Sequence, residues 1–352
     1  MKRWTKELNR RLAAVMVILM VLSFSGCGIV NREVGGSVDE DAVLTFAGEE
    51  IGLGEVYLYA YAVKEDYEEV YGKGIWDMDI SVNRDESANM EDVTRKDIIE
   101  NIVHVKMLVN KASEYKCALT DDESAAADRE ADKFYGNLTD QQIKEMQLDY
   151  EMVHRVMQEN ALAKKVHDVI IADAGIEISD EAARETTFYD MYFECYAVAS
   201  NGDVTKFSED EKSAQYERAV EAYNTLVSPV SSTNGDNNVE ALAEYYGLQN
   251  CQYYTLTPSE IAGIYGNDIK EDIYLLEDGS YSLVTESEFG YHIFYMVALT
   301  DREATDQHKS EMIVSKENAY MDTIYDEWLK DIDPDYSYET AVDFDTYERI
   351  TF

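Results

Sequence analysis

Glu288-Phe289-Gly290-Tyr291-His292-Ile293 opens the clearest strand in this chain of 352 residues. From Tyr291 to Leu299 aromatic and branched residues dominate, a composition suited to a pleated, half-buried surface. Just upstream, Asp278-Gly279-Ser280-Tyr281-Ser282 supplies a turn, with glycine free to take a positive φ. Working outward, Tyr192 to Ala199 reads as another strand, followed by a turn at Asn201-Gly202. Lys212 to Val227 reads as an amphipathic helix, 230–238 as a polar loop and Val239 to Tyr246 as a short helix. Gln252 to Leu256 suits a strand, and Ile269 to Leu276 a helix ending before Gly279. A long helix over about Ala304 to Ile332 and a polar, Tyr-rich tail complete this half.

The preceding half reads differently. Ala42 to Gly48 alternates as a short strand, and a helix begins near Gly54 with Val56, Tyr57, Tyr59, Ala60 and Val63. Residues 72–92 read as a loop rich in Asp, Asn and Gly. Thr94 with Asp97, and Thr120 with Glu123, carry the spacing of helix-opening capping boxes. A third helical stretch runs from about Thr139 to Ala172, with a possible break, and stops at Gly175. Ser179 is the expected N-cap of a further helix through Ala182 and Thr186. Only Pro229, Pro258 and Pro334 occur, which fits a helix-rich protein.

The chain begins as a targeting segment. Lys2, Arg3, Lys6, Arg10 and Arg11 precede an apolar run from Leu12 to Phe24. That run is shorter than the roughly 20 residues a spanning helix needs. It ends in Phe24-Ser25-Gly26-Cys27, which resembles the lipobox of bacterial lipoproteins, although Phe24 stands where that family usually has Leu. The resemblance implies a signal peptide at 1–26, diacylglycerol on Cys27 and an acidic tether over 27–41. An ordinary cleaved signal or an uncleaved anchor helix remains the alternative. Removing 1–26 takes away five positive charges and one negative, which moves the formal charge from −42 to about −46. Such a field argues against nucleic acid or anionic headgroups as direct partners. Cys117, Cys195 and Cys251 form neither a disulfide framework nor a zinc pattern.

Two stretches resemble the extracytoplasmic foldases of the PrsA and SurA type. Phe46-Ala47-Gly48-Glu49-Glu50-Ile51 is similar to the opening of their helical chaperone module, and Gly175-Ile176-Glu177-Ile178-Ser179-Asp180-Glu181-Ala182 to the segment that closes it. The glycine turn at Asp278–Ser282 and the Gly290-Tyr291-His292-Ile293 strand are similar to the C-terminal half of a parvulin domain. Tyr325-Asp326-Glu327-Trp328-Leu329 resembles the helix that packs back on the first module. The resemblance implies an α+β fold: a helical chaperone module built from N-terminal segments plus the C-terminal helix, with a parvulin-like α/β domain inserted. The expected divisions are 42–187 for the helical module, 188–299 for the inserted domain, and 300–352 for the helix and tail.

Parvulins form no covalent intermediate. Rotation about X–Pro faces a barrier of about 18–20 kcal/mol from amide resonance. The family lowers it with an apolar pocket and a polar set of two histidines, a hydroxyl, and a cysteine or aspartate. By resemblance His292 is the second histidine and Ser287 the hydroxyl; Tyr254, Ile269 and Phe289 are candidate peptide-binding residues. The first histidine belongs near Tyr192, where Phe193, Glu194 and Cys195 follow and no histidine stands. The cysteine or aspartate belongs before 252–256, where Asn250 and Cys251 do not align cleanly.

The function expected is thus a lipid-anchored foldase on the extracytoplasmic face of the bacterial membrane. It binds unfolded exported polypeptides, with weak or no prolyl isomerase activity. The alternatives are an active parvulin-type isomerase and a non-catalytic surface binding or scaffold lipoprotein. No cofactor is implied. The other histidines, His104, His154, His167 and His308, are isolated, and no metal is expected from them. Asp77, Asp79 and Asp85, and Asp331, Asp333 and Asp335, lack the glycine and glutamate of a calcium loop. Among 27 tyrosines, Tyr57, Tyr59, Tyr61, Tyr67 and Tyr71 gather on one helix and its exit. They suit either helix packing with wet edges or an aromatic groove for unfolded chains.

Overall fold

The computed structural model describes residues 41–81, 87–228, 235–248 and 251–352. The expected signal segment, Cys27, nearly all of the expected tether, Asp85 and Asn250 lie outside the described residues. The chain is α+β and divides into two compact units. One runs up to Ile176 and resumes at Ser315; the other is Glu177–Val314.

In the helical unit, β1 (Ala42–Phe46) and β2 (Glu49–Gly52) form a hairpin. Ala47 and Gly48 both take positive φ at its turn, which matches the twist of the strands. Four principal helices follow: α1 (Leu53–Tyr71), α2 (Met90–Lys111), α3 (Asp121–Asn137) and, after the short α4 (Asp140–Glu145), α5 (Tyr150–Ala174). The Thr120–Glu123 box caps α3 as its spacing implies, Thr139 with Gln142 caps α4, and Gly175 ends α5 in the left-handed conformation. The Thr94–Asp97 expectation is corrected. The side chain of Asn89 accepts from the Glu91 amide at 2.9 Å and starts α2 earlier, so Thr94 is buried inside the helix. Residues 72–92 are also not a plain loop, since a 3₁₀ turn (Lys73–Ile75) and a small hairpin of β3 (Asp79–Ser81) and β4 (Ser87–Asn89) occupy much of them.

One continuous core fills this unit, with Ile99, Ile102 and Leu108 of α2 and Val153, Val156 and Val166 of α5 fully buried. At its edge lies a closed square of charge, with Glu55 and Lys106 buried and Arg155 45 % exposed. Glu55 of α1 meets Lys106 at 2.9 Å and Arg155 at 2.7 Å, while Glu159 meets the same two cations at 2.6 Å and 3.0 Å. Each charge has two opposite partners, the condition under which buried ions are tolerated. The tail is part of the core. The Asp343 amide donates to the Val43 carbonyl, Leu44 bridges Val342, and Tyr347 is fully buried. Arg95 donates to the carbonyls of Tyr347 and Ile350 and lies over the rings of Tyr347 and Phe352.

The sheet unit is built on β5 (Thr186–Glu194), β8 (Cys251–Leu256), β9 (Thr285–Ser287) and β10 (Gly290–Ala298). Their order is β8-β5-β10-β9, and every neighbour is antiparallel. Between β5 and β8 come the hairpin of β6 (Tyr196–Val198) and β7 (Val204–Lys206), then α6 (Glu209–Leu226) and α7 (Gly235–Tyr246). Between β8 and β9 come α8 (Pro258–Tyr265) and α9 (Asn267–Tyr274). The long α10 (Arg302–Ile332) begins in this unit.

Side-chain alternation sends Met191, Phe193 and Ile293 to the face covered by α6 and α7, and Phe188, Phe294 and Met296 to the face covered by α8 and α9. A row of tyrosines crosses the first face: Tyr253, Tyr189, Tyr295 and Tyr281 pair in register from strand to strand. Gly290 is required where it stands, because a Cβ there would come within 2.2 Å of the Phe193 carbonyl oxygen.

The expected helix from Ser179 is corrected to a single turn. Ser179 Oγ does accept from the Ala182 amide, but Thr186 already belongs to β5, so that strand starts six residues before Tyr192. Paired β-branched residues at Thr186-Thr187 favour the sheet, and the Thr186 hydroxyl donates to the Leu299 carbonyl. Helix α8, capped by Thr257 and Glu260, is absent from the sequence reading. The divisions between units fall before 187/188 and after 299/300, because residues 180–185 are bonded to the start of α10. Asp180 meets Arg302 and Lys309, Ala183 faces His308, and the Glu185 amide donates to Thr305.

Candidate functional site

His292 lies on β10 directly opposite Tyr192 of β5, and Asp190 is two residues along the same face. The imidazole is 5 % exposed and Asp190 4 %. Nδ1 is 2.9 Å from Asp190 Oδ1, and Nε2 is 2.9 Å from Ser287 Oγ. The hydroxyl of Tyr265, at the end of α8, donates to Asp190 Oδ2 at 2.9 Å. The result is a line of four polar groups running from an edge strand through the sheet to a helix.

Aromatic rings surround that line. Tyr192 lies parallel to the imidazole at 4.4 Å and Phe294 parallel at 5.5 Å, while Tyr265 meets it edge-on at 5.6 Å. Phe188 extends the wall towards Tyr254 and Tyr265. Burial, and then the Asp190 carboxylate, push the Tyr265 hydroxyl well above its ordinary range, so it stays a donor. Burial raises Tyr192 in the same way.

The protons are constrained. Ser287 Oγ is also 3.2 Å from the Gly290 carbonyl, and one hydroxyl proton cannot serve both neighbours. Either it goes to Nε2 and the imidazole is neutral, or it goes to the carbonyl and Nε2 is the donor. In both arrangements Nδ1–H faces Asp190. The serine–histidine–carboxylate order is that of hydrolytic triads. Here, however, the serine oxygen faces a carbonyl rather than the backbone donors that hold an oxyanion.

Of the residues expected from the sequence, His292 and Ser287 are brought together. Tyr254 is half-buried beside Phe188. Ile269 points into the core under α9, packed with Phe188, Ile261 and Met296. Phe289 is partly exposed at the other end, against Tyr196 and Lys206, and its carbonyl accepts from the Tyr192 hydroxyl at 3.0 Å. Asp190 and Tyr265 escape the sequence reading. The available signal is that Asp190 is the one charged residue between Thr186 and Phe193. No group of three or more His, Cys, Asp or Glu side chains is placed to hold a metal among the described residues, and no described helix is long and apolar enough to cross a membrane.

No family model matches the chain. A curated relative, the foldase protein PrsA of Caldanaerobacter subterraneus subsp. tengcongensis, is 24 % identical over 338 residues, covering 92 % of this chain and 95 % of the relative. Among solved structures, PrsA of Bacillus cereus overlays 78 % of this chain and 98 % of its own at 15 % identity, with a TM-score of 0.29. A SurA-like chaperone of Campylobacter jejuni overlays 82 % and 96 % at 12 % identity, with a TM-score of 0.26. By sequence, along nearly its whole length, the chain resembles the PrsA-type foldases.

Proposed function

We propose that this chain is an extracytoplasmic foldase: a chaperone of exported polypeptides, held to the membrane by lipid on Cys27. Its peptide site is the aromatic-walled region around Asp190, His292 and Ser287, flanked by Tyr254 and Phe289. Isomerase activity there is weak or absent. The observation that carries this last point is the engagement of both imidazole nitrogens in a buried ring. To polarise a substrate amide the ring would first give up a bond to Asp190 or Ser287, at a cost of about 1–3 kcal/mol. The helical unit is the main chaperone body in this reading, and the sheet unit a binding platform.

One observation favours an active isomerase as a second reading. Asp190 reaches His292 from the strand on which the resemblance places the first histidine, so a polar set is complete in a rearranged form. Two measurements on the mature protein separate the readings. Suppression of aggregation of a chemically unfolded client tests the foldase, and its absence sinks the proposal. A proline-peptide isomerisation assay tests catalysis: no rate above background is expected, whereas a rate abolished by His292→Gln establishes the active isomerase.

A further inference from the structure

The β6–β7 hairpin carries an apolar face that its own unit leaves in water. Tyr196 and Val198 stand opposite Lys206 and Val204 across the ribbon, and as alternate residues they share one face. Phe289 joins that face: Tyr196 meets its ring edge-on at 5.9 Å, and the Lys206 ammonium lies 4.7 Å from its centroid. Val198 is 61 % exposed, Val204 57 % and Phe289 39 %. An isolated two-stranded ribbon is marginal in water, and a contiguous exposed apolar strip on one marks a contact surface.

The surrounding charge says what kind of partner fits. Glu194 accepts from the Tyr196 hydroxyl, Glu288 precedes Phe289 and meets Lys206, Asp203 precedes Val204, and Glu209-Asp210-Glu211 open the helix that follows the ribbon. Against these stand Lys206 and Lys212, each bonded to a glutamate at 2.9 Å (Glu288 and Glu209 respectively). The local field is therefore negative around an apolar centre. The strip is also continuous with the His292 site, because the Phe289 carbonyl accepts from both the Tyr192 hydroxyl and the Cys195 amide.

We propose that this hairpin face, with Phe289, docks extended client segments whose apolar residues are flanked by lysine or arginine. The inference rests on the foldase reading and gives it a substrate class. Apolar contact supplies affinity, and the carboxylate border selects positive flanks and speeds encounter.

Two labelled peptides with the same Leu-Val-Phe-Leu centre, one flanked by lysines and one by glutamates, provide the test by fluorescence anisotropy on the mature chain. The lysine-flanked peptide should bind at least about tenfold more tightly at low ionic strength, and the preference should collapse at high salt. The double substitution Val198→Thr and Val204→Thr keeps the branched shape that suits a strand and should weaken binding by roughly threefold to tenfold. A photoreactive lysine-flanked peptide should cross-link to 196–206, which reads the site without any substitution. If the protein suppresses aggregation but binds both peptides equally, or cross-links elsewhere, the strip assignment is overturned and the foldase stands. If it neither suppresses aggregation nor binds either peptide, the foldase reading fails and this inference with it.

Discussion

The two units arrange charge in opposite ways. In the helical unit, Glu55, Lys106, Glu159 and Arg155 close a square that joins three helices at the edge of one continuous core. In the sheet unit, the core is split by the sheet into two smaller clusters, and the polar line Ser287–His292–Asp190–Tyr265 runs along one of them. The square is closed on itself, and each of its charges has two partners. The line is open at an edge strand, where one hydroxyl proton has two acceptors to choose between. A closed network fixes a structure; an open one can exchange partners.

The sharpest way to break this contrast is Glu55→Ala. It leaves Lys106 and Arg155 sharing Glu159 alone and should destabilise the helical unit by about 2–3 kcal/mol. Trp76 and Trp328 both belong to that unit, so tryptophan fluorescence in denaturant follows it directly. An unchanged midpoint would show that the square is not structural. Tyr265→Phe should have a smaller effect, about 1–2 kcal/mol, since Asp190 keeps its bond to His292. That loss should appear in amide exchange of β5 and β10 and leave the tryptophan transition in place. Thr120→Ala removes a capping box at the surface and should cost about 1 kcal/mol in the helical unit, again by tryptophan fluorescence.

The smallest net effect is the slope of stability with pH, because two groups oppose one another. Burial raises Asp97 to about 6, so between about 4 and 6 the folded state holds more protons than the unfolded chain, and stability falls as pH rises. Burial lowers His104 to about 4. There the unfolded chain holds more protons between about 4 and 6.5, and stability rises with pH. The two oppose one another. Asp97→Asn should therefore stabilise the helical unit more at pH 7 than at pH 4.5, and an equal effect at both would contradict the assignment.

Asp97 also shows where sequence reading reaches its limit. Thr120–Glu123 and Thr94–Asp97 look alike as strings, yet only the first caps a helix, because Asn89 already caps α2 one turn earlier. Local pattern cannot rank two candidates when a preceding hairpin delivers the chain to one of them. The Gly290–Ile293 strand was legible because a close approach demands glycine and the face alternates. Asp190 was not, since its role comes from a residue 102 positions away and its strand was begun too late. His292 and Ser287 were expected together through their resemblance to a pattern, while the line that joins them to Asp190 depends on register across three strands.

The cysteines carry a consequence in redox terms. Cys195 is buried, and burial raises the Cys251 thiol to about 11. At neutral pH only on the order of one Cys251 side chain in ten thousand is a thiolate, the form that oxidants and disulfides attack. Slow kinetics thus protect this sulfur from oxidants and disulfides while the fold holds it. Its exposure to oxidation is concentrated in the interval before the chain has folded.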